Sequence, residues 1–312
     1  MHDYDGIVDL PPSQSKRLDL YIAEDLRLMR RSRIRARRLG ATVNGKTAKL
    51  SRLVKAGDAL RLVWEDDPPI DVIPEHIPLD IVYEDGSVIV VNKPQGLVVH
   101  PGAGNVSGTL ANALLWRFNM KHGGKTDAPF AGEGRPFIVH RLDKDTSGVM
   151  IAAWDSAALS FLSDQFRERA VRKTYAAIVN GCPAEPRGTI STNIVRDRNN
   201  RQRFTVSERS GKSALTRYKV VRSAGGCSLL KIRPKTGRTH QIRVHLRSIG
   251  HPIVGDPLYG QPPRNGLLEP ALALHSKTLE IVLPDRATRS RFTTPLPARF
   301  KKILLQGISG NQ

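Results

Sequence analysis

The chain has 312 residues and a formal net charge of +20. Its hydrophobic content of 39% and charged content of 25% are those of a folded globular protein, which excludes a disordered polyelectrolyte. The excess of lysine and arginine points to a polyanionic partner, nucleic acid first. Cys182 and Cys227 do not form a CxxC pair. That excludes a disulfide scaffold and a cysteine zinc site, and suits a reducing cytoplasm. No apolar run approaches the ~20 residues needed to span a bilayer, so no membrane is expected. The acidic segment 1–14 does not have the pattern of a secretory signal.

That first segment reads as a loose tail, with Asp3, Asp5 and Asp9 ahead of Pro11-Pro12-Ser13. A small domain is expected over 15–65. Leu18, Ile22 and Leu26 recur at helical spacing. A second helix is predicted from Met29 to Gly40, with Ser32 as its cap, Ile34 and Leu39 as a thin apolar side and Gly40 as its stop. Arg30, Arg31, Arg33 and Arg37 cover its remaining surface. Ala41-Thr42-Val43, Asn44-Gly45 and Lys46-Thr47 predict a type I′ hairpin, closed by Val54, Leu60, Leu62 and Val63. These arginines and Lys46 together offer a surface for RNA phosphates. A solvated charged helix explains the same residues equally well. Gly40 to Thr47 also matches the phosphate-loop pattern GxxxxGK[ST]. That motif requires a strand before the first glycine and a helix opening at the lysine, whereas an arginine-rich helical stretch precedes it here.

Residues 66–78, acidic and proline-rich, are expected to be an extended linker. A larger domain is expected over 79–306. Val88 to Val91 reads as a buried strand, Lys93 to Gly96 as a turn, and Leu97 to Val99 as another strand. Thr109 caps a helix carrying Leu110, Leu114 and Leu115, and 119–134 reads as a polar, glycine-rich loop. Then His140-Arg141-Leu142-Asp143-Lys144-Asp145-Thr146-Ser147-Gly148 lies between two apolar runs, Pro136 to Val139 and Val149 to Ala153. A polar loop held between buried segments is where catalytic groups concentrate. It holds no cysteine and no serine in a nucleophile elbow, so a carboxylate is the natural nucleophile or base.

Further on, Asp155 or Ser156 caps a helix with Leu159, Leu162 and Phe166 on one face. Lys173 to Val179 reads as a strand carrying Tyr175. Arg196, Arg198, Arg201, Arg203, Arg209, Lys212 and Arg217 form a second basic band. Leu229 to Arg233 alternates as a half-buried strand. Pro234 to Gly237 is a turn, and Thr239 is the expected cap of a helix with Ile242, Leu246 and Ile249 on one face. Arg243 and Arg247 lie one turn apart on another face, where they could meet RNA, while Arg238 precedes the helix. His240, His245 and His251 lack the i, i+4 spacing of a helical zinc pair, and no metal is expected.

Several of these stretches carry a resemblance. HRLDKDTSG, the NKPQGLVVHP run from Asn92, RPKTGRTHQIRVH from Arg233 and the following GDPLYG resemble the motifs of RluA-type RNA pseudouridine synthases, in the same order. Arg17-Leu18-Asp19, Ser32-Arg33-Ile34, Val43-Asn44-Gly45 and Gly57-Asp58 resemble an S4-like RNA-binding domain. Leu274-His275-Ser276 stands where that family has Leu-His-Ala, a departure expected to touch no catalytic group. The resemblance implies an α+β fold: a small S4-like helix and hairpin domain, then a large mixed, mostly antiparallel sheet flanked by helices. It implies that Asp143 is the nucleophile or base and that Tyr175 lies against a flipped-out uracil. It places a basic residue beside the aspartate, Arg238 by position with Arg243 as runner-up. His140 and Arg141 are then expected to hold the displaced strand or its phosphates. The implied reaction breaks the C1′–N1 bond and rejoins the base through C5, without redox change, so it implies no cofactor. The implied partner is RNA, most of all large-subunit ribosomal RNA, and the implied protein is a cytoplasmic monomer. The competing readings are a nucleotide-driven RNA enzyme using Gly40 to Thr47, an N-glycosidase, and a non-catalytic ribosome-binding protein.

Overall fold

The computed structural model describes residues 2–26, 28–29, 34, 39–64, 72–102, 104–121, 138–260 and 271–306. The chain divides into two compact units, Met1–Ile70 and Asp71–Gln312. Arg30, Arg31, Arg33 and Arg37, residues 66–71 of the expected linker and most of the 119–134 stretch lie outside the described residues.

In the first unit, β1 (His2–Ile7), β3 (Gly40–Val43), β4 (Lys46–Thr47) and β6 (Ala59–Trp64) form an antiparallel sheet in the order β1-β6-β3-β4. The expected tail is therefore a strand, paired from His2↔Trp64 to Ile7↔Ala59. Its aspartates sit on the exposed side while β6 gains hydrogen-bond partners along its free edge, and Val8 and Leu10 just beyond are buried. The backbone of β2 (Ser15–Arg17) pairs with β5 (Leu53–Lys55). Helix α1 (Leu18–Leu20) runs on into a wider π turn, Tyr21–Asp25. Met29, Ile34 and Leu39 are buried in the same core as Leu18, Ile22 and Val43.

The stretch from Gly40 to Thr47 is a hairpin. Asn44 and Gly45 take φ of 53° and 74°, as a type I′ turn demands, and Lys46–Thr47 is strand. No helix opens at the lysine, so the nucleotide-loop reading has no loop to stand on.

The second unit is a ten-stranded sheet: β7 (Ile81–Glu84), β8 (Val88–Lys93), β9 (Ser147–Ala153), β10 (Arg172–Asn180), β11 (Arg187–Arg196), β12 (Phe204–Ser207), β13 (Lys212–Ala224), β14 (Cys227–Pro234), β15 (Leu274–Val282) and β16 (Arg289–Thr293). Its order is β12-β11-β13-β14-β10-β15-β9-β8-β7, with β16 also on β15. The β9/β15 pair is parallel and its neighbours are antiparallel. All seven residues of β9 are buried, because both faces of the sheet are covered. On one face Met150 and Ala152 join Ile89 and Val91 in a core that includes Leu110 and Leu114 of α2 (Leu110–Lys121). Ile242 of α4 (Gln241–Ser248) and Phe300 of α5 (Ala298–Gln306) belong to the same core. On the other face Val149 and Ile151 pack with Ala158 and Leu162 of α3 (Ser156–Arg167), whose cap is Asp155, accepting from the Ala158 N–H at 2.7 Å. The expected strand Leu97 to Val99 is not one: Val98 forms only an isolated bridge, to Thr109, and Ile138 likewise bridges Ala152.

One glycine decides how close β9 and β15 come. Gly148 has φ of 115°, and a Cβ built there would lie 2.2 Å from the Ser276 carbonyl oxygen. Both partners are backbone in the middle of a sheet, so neither can give way. Gly148→Ala is expected to cost more than about 3 kcal/mol, read as a lowered urea midpoint at unchanged slope.

Candidate active site

The loop from His140 to Thr146 is held on three sides. Leu142 is buried in the main core. The His140 ring stacks on Phe166 at 4.5 Å, and its Nε2 accepts the Ile151 N–H at 3.1 Å. Accepting at Nε2 needs a neutral ring, and burial pushes its pKa down to about 3. His140 thus holds the loop to β9, which differs from the expected phosphate contact. At the other end the Lys144 carbonyl accepts from Lys93 Nζ at 2.9 Å and from the Gly96 N–H at 3.0 Å. Lys93 is fully buried and also donates to the carbonyls of Pro94 and Leu97. Burial lowers its pKa to about 8, against the pull of Asp145 and Asp143. Nothing in the residue pattern marks this turn lysine as an anchor, because its partners are backbone carbonyls.

Asp143 lies on the wall of a cleft of about 520 Å³. Its Oδ2 is 3.3 Å from Nη1 of Arg243 and 4.0 Å from Nε2 of His240. The basic neighbour is thus the runner-up. Arg238 lines the cleft but turns its Nε to the Ser213 carbonyl at 3.1 Å. His240, not Thr239, is the N-cap of α4, in a left-handed conformation, and the helix is buried from Gln241 to Leu246, Arg243 included. Gln241 Oε1 meanwhile takes the Arg238 N–H. Arg243 is buried and clamps both oxygens of Asp256 at 2.8 Å, so it is not the surface phosphate contact expected of it. Burial works against its charge, but Asp256 and Asp143 outweigh that and its pKa is raised. Arg247 is exposed, its guanidinium 6.0 Å from the Tyr259 ring.

Tyr175 lines the same cleft and is buried. Burial pushes its phenol up to about 12, so it stays protonated. A bulge between Thr174 and Tyr175 shifts the register and sets Tyr175 opposite Ser276. Bulges beside active sites re-aim side chains in this way. The serine that replaces the family's alanine therefore does lie against a site residue, contrary to expectation. Arg141 and Lys173 also line the cleft. Burial lowers the pKa of Lys173, and no carboxylate pairs with it among the described residues. His245 is core, bonded to Thr192 and Thr216. Among the described residues no cluster of potential metal ligands occurs.

A carboxylate fixed by an arginine, a buried tyrosine and a crown of basic side chains around one cleft suit a nucleotide held for chemistry at its sugar or base. The sequence pattern of the RNA pseudouridylate synthase family matches residues 87–248, which include Asp143, Tyr175 and Arg243. The chain is 41% identical over 290 residues to the ribosomal large subunit pseudouridine synthase D of Borreliella burgdorferi, covering 91% of this chain and 87% of that protein. It is 42% identical over 303 residues to an uncharacterized RNA pseudouridine synthase of Chloroflexus aurantiacus, covering 96% and 93%. Among solved structures, human RNA pseudouridylate synthase domain containing 4 superposes with a TM-score of 0.58 at 30% identity, over 73% of this chain and 92% of that one. The chain is an isomerase acting on RNA. It belongs to the RNA pseudouridine synthase family, in its RluA-type branch.

Proposed function

We propose that this enzyme converts particular uridines of large-subunit ribosomal RNA to pseudouridine, with Asp143 as the nucleophile or base. The observation that carries the reading is the Asp143–Arg243 pair inside the cleft. Arg243 sets a cation 3.3 Å from the carboxylate that the chemistry uses. Arg243 and His240 both approach Oδ2, and Oδ1, with no partner among the described residues, is the oxygen offered to substrate. Tyr175 packs against the extruded base with its hydroxyl protonated. Extruding a base costs a few kcal/mol, which stacking and hydrogen bonds in the pocket offset. Arg141, Lys173 and Arg238 surround the cleft as phosphate contacts, and the first unit, read as an S4-like domain, adds affinity through its basic surface.

The ribosomal assignment is supported by the names of relatives such as the Borreliella enzyme and by the charge of +20. The proposed setting is a cytoplasmic monomer. Pseudouridine mapping of total RNA from cells with and without this chain tests the target. Discrete uridines of large-subunit ribosomal RNA are expected to lose the modification. Loss confined to transfer RNA would overturn the substrate and leave the chemistry standing.

A further inference from the structure

We propose that His240 is a positioning residue for the catalytic aspartate: an N–H donor, fixed in one tautomer by Tyr259, that restrains the Asp143 carboxylate from the side opposite the reacting oxygen. The proposal rests on Asp143 being the reacting group.

Three observations carry it. The first is the backbone. His240 has φ of 55° and ψ of 17°. Few non-glycine residues occupy this left-handed region, and they persist where the surroundings hold them there. Here it makes His240 the N-cap of α4, yet its side chain caps nothing. The ring is instead turned to the cleft, which it lines beside Asp143.

The second is a chain of hydrogen bonds that sets the tautomer. The Tyr259 oxygen accepts the Phe204 N–H at 2.8 Å and lies 2.8 Å from His240 Nδ1. With its oxygen engaged as an acceptor, the phenol has its own proton to give, and Nδ1 is the group in range. His240 then carries its proton on Nε2. The opposite tautomer would aim a lone pair at the Asp143 carboxylate and leave the phenol proton unused. The partner of one ring nitrogen deciding the state of the other is a general property of histidine. Burial lowers the pKa of His240, chiefly against the pull of Asp143, which keeps the ring neutral.

The third is the placing of Tyr259 itself. Its N–H donates to Asp256 Oδ1 at 3.0 Å, and its ring lies 5.0 Å from the Arg243 guanidinium. Asp256 thus fixes Arg243 directly and His240 through Tyr259, so both groups that meet Asp143 Oδ2 are set by one buried carboxylate. The 4.0 Å gap from Nε2 to Oδ2 is longer than a hydrogen bond. Such contacts tighten when substrate fills the site.

The test uses RNA from cells lacking the chain, labelled with [5-³H]uridine, so the target is present unmodified whichever RNA class holds it. Bonding C5 to C1′ expels the C5 hydrogen, and tritium released to water counts turnovers. His240→Phe keeps a ring but no donor. It is expected to lower kcat about 100-fold, the cost typical of a small misplacement of reacting groups, with KM within threefold. His240→Gln restores an N–H donor and is expected to recover at least about tenfold of that loss. Nitrogen-15 spectra of the imidazoles are expected to show the Nε2–H form in the wild type and a mixture in Tyr259→Phe. The proposal fails if His240→Phe turns over within threefold of the wild type, if the Phe and Gln variants are equally slow, or if the spectrum shows the Nδ1–H form. An Asp143→Asn control separates the two readings. Turnover by that control sinks the aspartate mechanism, whereas an inactive control beside a fully active His240→Phe sinks this inference alone.

Discussion

Asp143→Asn is expected to fold, bind RNA and form no pseudouridine. Asparagine keeps the shape of the side chain and an oxygen that can accept from Arg243, but it can neither attack nor take a proton. Loss of an essential nucleophile or base removes at least about 10³-fold of the rate. Stability is expected to change by less than about 1 kcal/mol. The Asp143 side chain is 21% exposed, so solvent already screens its pair, and Arg243 retains the bidentate clamp on Asp256. Tritium release, an RNA-binding isotherm and a urea melt on one preparation check all three statements. Residual activity within tenfold of the wild type would remove Asp143 from the mechanism. A collapsed melting curve would mean the carboxylate is structural.

The sequence made the location of the site legible and left its wiring illegible. Asp143 could be found because it sits in a charged loop flanked by apolar runs and because that loop carries a family resemblance. Tyr175 could be placed by the same resemblance. Its register against Ser276 could not, because a bulge is a property of two strands and leaves no mark on either alone. The exchange of Arg238 for Arg243 has the same origin. Arg243 and Arg247 share a face, but α4 is buried all round from Gln241 to Leu246 and emerges only at Arg247, so Arg243 is inside and Arg247 is not. No spacing rule announces a histidine with positive φ. Asp256 lay inside a recognised stretch, yet its role is defined only by the buried arginine it meets.

The fold was legible where one residue type determines the geometry. Asn44-Gly45 fixed the hairpin, and with it the rejection of a nucleotide loop. Asp155 and Thr109 were recognisable as caps, and both bond to their helices' first turns. The first strand was missed because acidity suggested solvent, whereas a strand on a sheet edge can expose every second side chain.

Arg243→Met is expected to injure the enzyme differently from Asp143→Asn, although the two residues are partners. The Asp256 side chain has no exposure at all, and Arg243 supplies both of its charge-assisted bonds. Taking the arginine away leaves a buried carboxylate whose remaining support is the N–H groups of Leu258 and Tyr259. Breaking a buried pair from one side costs about 3–5 kcal/mol, mostly as the penalty of the stranded charge. Arg243→Lys is expected to fall in between, because one ammonium cannot span two Asp256 oxygens and still reach Asp143. The double variant Arg243→Met with Asp256→Asn removes the stranded charge and is expected to regain most of the stability. It is not expected to regain turnover, since Asp143 still lacks its cation. Urea midpoints and tritium release for the three variants give the answer. A stable Arg243→Met would show that water reaches Asp256, contrary to its burial. An active double variant would show that Asp143 does not need the charge beside it, and the electrostatic part of the mechanism would have to be abandoned.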